Sequence, residues 1–301
     1  MTITFNVDRS YNGPGFVMQA NSLFQANSSV FFAFDNEKHL AVTKIFETVQ
    51  GEMPFAGITS IFLRLAACNR GSKIDRGCYF CDTFFALNDS TQFYTFEKLA
   101  DELIALAKTS ASPLLVITGG EPMLQAPALN WLLPILAGSG EFQGIQFETN
   151  GDLFNTLPVK ALLQTIKEIN EAEFDLSDDE EYEPFVRIVI SPKRTIREPL
   201  TGAFLGLASE PGVYVRLVVS GDPESVYYTI PQFLLDEWPN EAFYISPLTE
   251  YKRQPDDNEI VNIVDDIDLE ATRRNIARAM YLAKHLGVRI SFQSHSYIGF
   301  P

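Results

Sequence analysis

Seven short apolar runs, separated by stretches with helical periodicity, constrain this chain more than any other feature of its 301 residues. Residues 61–66, 114–118, 144–148, 186–190, 213–219, 243–246 and 288–292 read as strands. Residues 97–108 repeat Leu99, Leu103 and Leu106 on one helical face, and 269–286 run as a helix to Gly287, a natural C-cap. Alternating strands and helices give a parallel sheet covered by helices, either open or curled into a full or partial barrel. With 46% hydrophobic residues, including 24 Phe and 11 Tyr, the chain can bury a sizeable core.

Polar signatures stand where five of these runs stop. Thr118 leads into Gly119-Gly120-Glu121-Pro122, and Glu148 into Thr149-Asn150-Gly151. Ile190 leads into Ser191-Pro192-Lys193, Ile245 into Ser246-Pro247, and Phe292 into Gln293-Ser294-His295. Carboxyl ends of parallel strands form the functional rim of α/β folds, and five runs ending alike point to one site there.

The only three cysteines, Cys68, Cys78 and Cys81, fall within fourteen residues. They cannot all pair with one another. Clustered cysteines in a chain whose start lacks a basic region followed by an apolar core, and so shows no secretory signal, read as metal ligands or redox thiols in a reducing, cytoplasmic compartment. Three thiolates can bind three irons of a cubane cluster and leave the fourth open. The alternative is a zinc site completed by His39, His285 or His295, which would make the chain a zinc-stabilised binding module.

A formal charge of −16 argues against nucleic acid as the direct partner, and no apolar run is long enough to span a membrane. A free small molecule is the expected substrate. Residues 1–42 form an N-terminal extension, rich in Asn, Ser and Phe up to residue 40, and residues 43–301 the main domain. Nine acidic residues between 168 and 183 mark a solvated insertion at about 168–184.

The cysteine loop together with Thr118-Gly119-Gly120-Glu121-Pro122 resembles the radical S-adenosylmethionine superfamily. That superfamily usually places three residues between its first two cysteines, whereas this chain has nine. The enlarged loop is similar to that of the 7-carboxy-7-deazaguanine synthases. So are residues 45–52, Phe62-Leu63-Arg64, Cys81-Asp82-Thr83, residues 148–151, residues 191–193 and the ending 293–301. The likeness is strong over 43–125, recurs at 145–151, 186–193 and 243–301, and is absent from 1–42 and most of 152–240.

The resemblance implies an incomplete parallel β/α barrel of the radical S-adenosylmethionine type, carrying a [4Fe-4S] cluster on Cys68, Cys78 and Cys81, S-adenosylmethionine and Mg2+. It implies conversion of 6-carboxy-5,6,7,8-tetrahydropterin to 7-carboxy-7-deazaguanine, by hydrogen abstraction at C6 and ring contraction with loss of ammonia. A homodimer and an electron donor such as flavodoxin would be its partners. A superfamily alternative is an activating enzyme that makes a glycyl radical on a partner protein, but such an enzyme needs no pterin reader.

On the same resemblance, Arg64 grips the substrate carboxylate, as a planar guanidinium can through two parallel hydrogen bonds. Gln50, Gly51 and Glu52 read the pterin's amide and amino edges, Thr118 and His295 contact substrate, and the carboxylate of Pro301 holds its amino-bearing edge. Gly119, Gly120 and Glu121 bind the cofactor's amino group. Ser191, Pro192 and Lys193 meet its ribose and carboxylate, with Glu148 assisting. Thr83 ligates magnesium, an ion that takes oxygen ligands and keeps its waters. Similar enzymes carry Gln where this chain has Ser246, which shortens one cofactor contact.

Overall fold

The structure is a computed structural model describing residues 2–4, 17–19, 32–33, 38–71, 78, 80–81, 83, 91–111, 113–172, 183–193, 203–252 and 266–294. Three short strands, β1 (Thr2–Thr4), β2 (Val17–Gln19) and β3 (Phe32–Ala33), pair antiparallel in a small sheet of their own.

Nine strands make the main sheet. They are β4 (His39–Val49), β5 (Thr59–Leu65), β6 (Gln92–Thr95), β7 (Leu114–Gly119), β8 (Gly144–Thr149), β9 (Val186–Ile190), β10 (Val213–Val219), β11 (Phe243–Pro247) and β12 (Arg289–Ile290). Their spatial order is β12-β11-β10-β9-β8-β7-β5-β4-β6. From β5 to β12 every pairing is parallel, whereas β4 runs antiparallel to β5 and β6. The parallel strands never reverse their spatial order. Right-handed crossovers then put all the helices on one face, as in a barrel, rather than on both faces as in a doubly wound sheet. Among the described residues neither β12 nor β6 has a second partner, so the sheet is open there.

The period-2 alternation of strands sorts the side chains. Ile61, Leu63, Ile117, Phe147, Ile188, Val215, Leu217 and Ile245 point into the main core, which the helices cover. Those helices include α1 (Phe96–Ala107), α2 (Ala126–Ala137), α3 (Leu157–Ala172), the short α4 (Gln232–Glu237) and α5 (Leu269–Leu286). Thr95 caps α1 by accepting from the Lys98 N–H, and Leu99 and Leu103 on its inner face are fully buried. α5 spans the residues expected of it: Asp268 accepts from the Glu270 and Ala271 N–H groups, and Gly287 closes the helix at φ 70°.

Three boundaries differ from the sequence expectation. The main sheet takes in residues from His39, inside the stretch assigned to the N-terminal extension. Glu168–Ala172, assigned to the acidic insertion, complete the last turns of α3, where Asn170 is buried and bonds both the N–H and the carbonyl of Val186; residues 173–182 lie outside the described residues. The last strand is only Arg289–Ile290, because its register on β11 covers two pairs and Phe292 is exposed.

Candidate active site

Side chains of the opposite strand parity line a cavity of about 1270 Å³, counting its open mouth. Gln50, Gly51, Glu52, Arg64, Thr83, Thr118, Gly119, Gly120, Glu121, Glu148, Ser191, Lys193 and Ser246 all line it, as do Cys68, Cys78 and Cys81. Pro192 is buried behind the wall instead, and His295, Pro301 and Asp82 lie outside the described residues.

The cavity floor comes from the loop after β4. Val49 pairs with Thr59 at the start of β5, so this loop leaves from the amino-terminal edge of the parallel strands. It closes on itself through the Gln50 N–H to the Ile58 carbonyl and the Gly57 N–H to the Gln50 carbonyl, both 2.8 Å, and folds inward. Met53 packs against Val189 and Tyr244. Gln50 donates from Nε2 to Glu148 Oε1 at 3.1 Å, which also receives Gln146 Nε2 at 2.9 Å. Its own Oε1 accepts the Glu52 N–H at 3.2 Å, so Glu148 orients Gln50 and Gln50 orients Glu52.

Glu52 is 5% exposed and forms an ion pair with Arg216, 8% exposed, in the middle of β10. Arg216 Nε also donates to Ser191 Oγ at 3.1 Å, and Lys193 Nζ donates to the same oxygen at 3.2 Å. One buried guanidinium thus joins the floor loop to the Ser191–Lys193 corner. Burial pulls Arg216 down to about 10, which leaves it charged at neutral pH. Sequence reasoning missed this residue because it looked for polar groups at strand ends; the signal was a charge inside the apolar run Val213–Val219.

On the opposite wall Arg64 lies with its guanidinium carbon 5.5 Å from the Phe46 ring centroid, and Phe46 stacks on Phe62 at 5.2 Å. Gly119 and Gly120 are required by the protein's own backbone. A Cβ on Gly119, at φ +132°, would stand 2.1 Å from the Leu65 carbonyl oxygen, and one on Gly120 1.8 Å from that of Ala67. The space they leave lets the Gly120 and Glu121 N–H groups donate to Leu65 and Ala67 at 3.0 and 2.8 Å. These bonds fix the turn against the segment that delivers Cys68. Ala67 there holds a left-handed φ of 70°, a strained setting for a residue with a side chain.

Glu121 is buried, and its carboxylate accepts the Met123 N–H at 3.0 Å, the Thr149 hydroxyl at 2.6 Å and the Asn150 N–H at 2.7 Å. It pins the end of β8 to the turn. Desolvation pushes its carboxyl up to about 7, and the three donors oppose that rise.

The three thiols are free of disulfides. Burial raises the Cys68 thiol, the Arg70 N–H on its sulfur opposes the rise, and Glu121, Cys78 and Cys81 add to it. The turn Cys78–Cys81 closes through the Cys81 N–H and the Cys78 carbonyl at 3.1 Å. Between them, Phe80 meets Tyr227 edge-on at 5.3 Å and packs with Val218 and Leu248, anchoring the turn over β10 and β11. Thr83 Oγ1 stands 3.8 Å from Cys81 Sγ. Among the described residues, no three His, Cys, Asp or Glu side chains gather tightly enough to chelate one ion. Three soft sulfurs around one cavity fit a cluster that takes a single thiolate at each of three irons. Neither His39, in β4, nor His285, which contacts the Tyr281 carbonyl on α5, lines the cavity, so these two do not complete a zinc site.

An open, largely parallel sheet with three cysteines outside any disulfide and a Gly-Gly-Glu turn on one cavity resembles the organisation of the radical S-adenosylmethionine proteins. Comparison narrows this further: the chain is similar in sequence to several 7-carboxy-7-deazaguanine synthases. It is 27% identical to the one from Rickettsia prowazekii over 264 residues, covering 86% of this chain and 88% of that protein. It is 42% identical to the one from Hyperthermus butylicus over 115 residues, 38% of this chain and 44% of the relative. With the one from Bradyrhizobium diazoefficiens it shares 38% over 122 residues, 38% of this chain and 56% of that one. The matched region therefore spans about half the length of several of these relatives. A crystal structure of QueE from Escherichia coli superposes with a TM-score of 0.49 and 19% identity, over 85% of this chain and 95% of that one. No protein-family model matches the chain.

Proposed function

We propose that the chain is a radical S-adenosylmethionine lyase that converts 6-carboxy-5,6,7,8-tetrahydropterin to 7-carboxy-7-deazaguanine. One observation carries this reading: Gln50, Glu52 and Arg64, suited to a flat heterocycle bearing a carboxylate, open onto the same cavity as the three cysteines and the Gly-Gly-Glu turn. When bound, a [4Fe-4S] cluster on Cys68, Cys78 and Cys81 with S-adenosylmethionine supplies one-electron reduction and hydrogen-atom abstraction.

The chain's own residues bind and orient. Arg64 pairs with the substrate carboxylate through its planar fork. Glu52, ion-paired with Arg216, accepts from ring N–H groups, and Gln50, turned by Glu148, reads the adjoining edge. Thr118 offers its hydroxyl from the opposite wall. Gly119, Gly120 and Glu121 hold the cofactor's amino group, and Ser191 and Lys193 its ribose and carboxylate. Thr83 supplies one oxygen to magnesium. Ser246 also lines the cavity but is shorter than the glutamine of similar enzymes, so it reaches less far toward the cofactor. Phe62, Val218 and Leu248 line the cavity with apolar surface and keep bulk water from the reacting centre.

Three cysteines outside any disulfide suit a reducing, cytoplasmic setting, and no described helix is long and apolar enough to cross a membrane. A homodimer and a flavodoxin-like donor follow from the family resemblance, as do the roles of His295 and Pro301. The test is an anaerobic incubation of reconstituted protein with the carboxytetrahydropterin, S-adenosylmethionine, Mg2+ and a strong reductant, followed by mass spectrometry. Formation of 7-carboxy-7-deazaguanine supports the reading. An intact cluster that cleaves the cofactor without making this product refutes it.

A further inference from the structure

Nine residues separate Cys68 from Cys78, too long a span for local geometry to hold the first ligand in place. The beginning of that span is clamped from a distance. Arg70 reaches Asp152, 82 positions away, through Nε at 2.5 Å and Nη2 at 2.8 Å, a two-pronged ion pair with both side chains at most 10% exposed. Asn69 Nδ2 donates to the same carboxylate at 3.0 Å. Asn69 Oδ1 in turn accepts from Asn150 Nδ2 at 2.7 Å, and the Asp152 N–H donates to Asn150 Oδ1 at 3.0 Å. The two residues after Cys68 are thereby tied to the loop that ends β8. The clamp leaves the Arg70 N–H 3.5 Å from Cys68 Sγ, as its donor.

We infer that Asp152 is a positioning residue for the cluster: through Arg70 it holds a backbone N–H on the Cys68 sulfur, and so sets the reduction potential and retention of the cluster at that ligand. This rests on the reading that Cys68, Cys78 and Cys81 carry a [4Fe-4S] cluster. Hydrogen bonds to cluster sulfurs are among the levers that set potential, because they stabilise the added negative charge of the reduced state. An aspartate serves here because a bidentate carboxylate fixes the guanidinium in plane as well as in charge.

The test compares wild type, Asp152→Asn, Asp152→Glu and the double variant Arg70→Met/Asp152→Leu, each reconstituted anaerobically. Iron per chain, the midpoint potential followed by electron paramagnetic resonance, and the rate of cluster loss to a chelator are measured. Asp152→Asn makes reduction about tenfold less favourable, a fall of ~59 mV for one electron, and speeds cluster loss. Asp152→Glu recovers part of both. The double variant leaves no unpaired buried charge, so it folds and carries the same shift; it decides the matter if Asp152→Asn does not fold. Wild-type potential and loss rate in the folded variants overturn the clamp. A wild-type protein that takes up no iron overturns instead the cluster reading on which the clamp depends.

Discussion

Ser294 donates both its hydroxyl and its backbone N–H to the carbonyl oxygen of Gly51, at 2.7 and 3.1 Å. The two residues are 243 positions apart, one following the last strand of the sheet and the other in the floor loop between β4 and β5. The Met53 N–H adds a bond to Ser291 Oγ at 3.2 Å. The open sheet therefore curls until the segment around the end of β12 meets the loop joining β4 to β5, through these hydrogen bonds rather than through strand pairing. The consequence is functional: these bonds join the segment entering the C-terminal motif and the Gln50–Glu52 loop into one wall of the cavity.

Loss of the Ser294 hydroxyl should loosen that wall. Ser294→Ala removes one hydrogen bond worth about 1 kcal/mol, so substrate affinity falls roughly fivefold while cofactor binding holds. Titration of each ligand separately checks this; unchanged substrate affinity would show that the backbone bond alone holds Gly51.

Arg216 and Glu52 stand or fall together. Arg216→Met strands the Glu52 carboxylate in the interior, at a cost of about 3–5 kcal/mol. Glu52→Gln added to it should recover much of this stability but not substrate binding. Denaturant unfolding of the single and double variants reads the coupling, and additive losses would argue that the two side chains do not interact.

Gly120→Ala should collapse the junction between the Gly-Gly-Glu turn and the cysteine segment, since its Cβ would overlap the Ala67 carbonyl. Overpacking of this kind costs about 1–3 kcal/mol or more, and cluster retention falls with it. Gly206→Ala, with nothing within 4 Å of its Cβ, is the control and should be silent. Comparable melting temperatures for the two would contradict the packing role.

Glu121 gives the cluster-free protein a specific pH dependence. Its carboxyl is raised from 4.5 to about 7, so the folded chain binds that proton more tightly than the unfolded chain. The stability this confers is complete below about pH 4.5 and is lost as pH rises through 7, up to ~3 kcal/mol. Denaturation curves at intervals between pH 5 and 8 should slope downward in wild type and flatten in Glu121→Gln. A wild-type profile already flat would place the Glu121 proton outside this range.

Much of this site is legible in the sequence because short-range rules govern it. Thr118, Glu148, Ser191 and Ser246 end or follow apolar runs, and helix α5 is bounded by an Asp cap and a Gly cap. What escaped depends on separation. Arg216 sits mid-strand and meets Glu52 only after the floor loop folds inward, while Arg70 meets Asp152 across 82 positions. Strand β4 was missed as a whole: Lys44 and Glu47 are exposed, and its middle residues lie at the surface of an antiparallel pair rather than in an apolar run.

The most direct measurement follows one hydrogen atom. Reconstituted protein is given carboxytetrahydropterin deuterated at C6, with S-adenosylmethionine, Mg2+ and reductant, and the 5′-deoxyadenosine and deazaguanine products are weighed by mass spectrometry. Deuterium in the 5′-deoxyadenosine, formed together with 7-carboxy-7-deazaguanine, is the expected result. Unlabelled 5′-deoxyadenosine and no deazaguanine, from protein with a full cluster, would contradict a single cavity built to bring the pterin and the cofactor together.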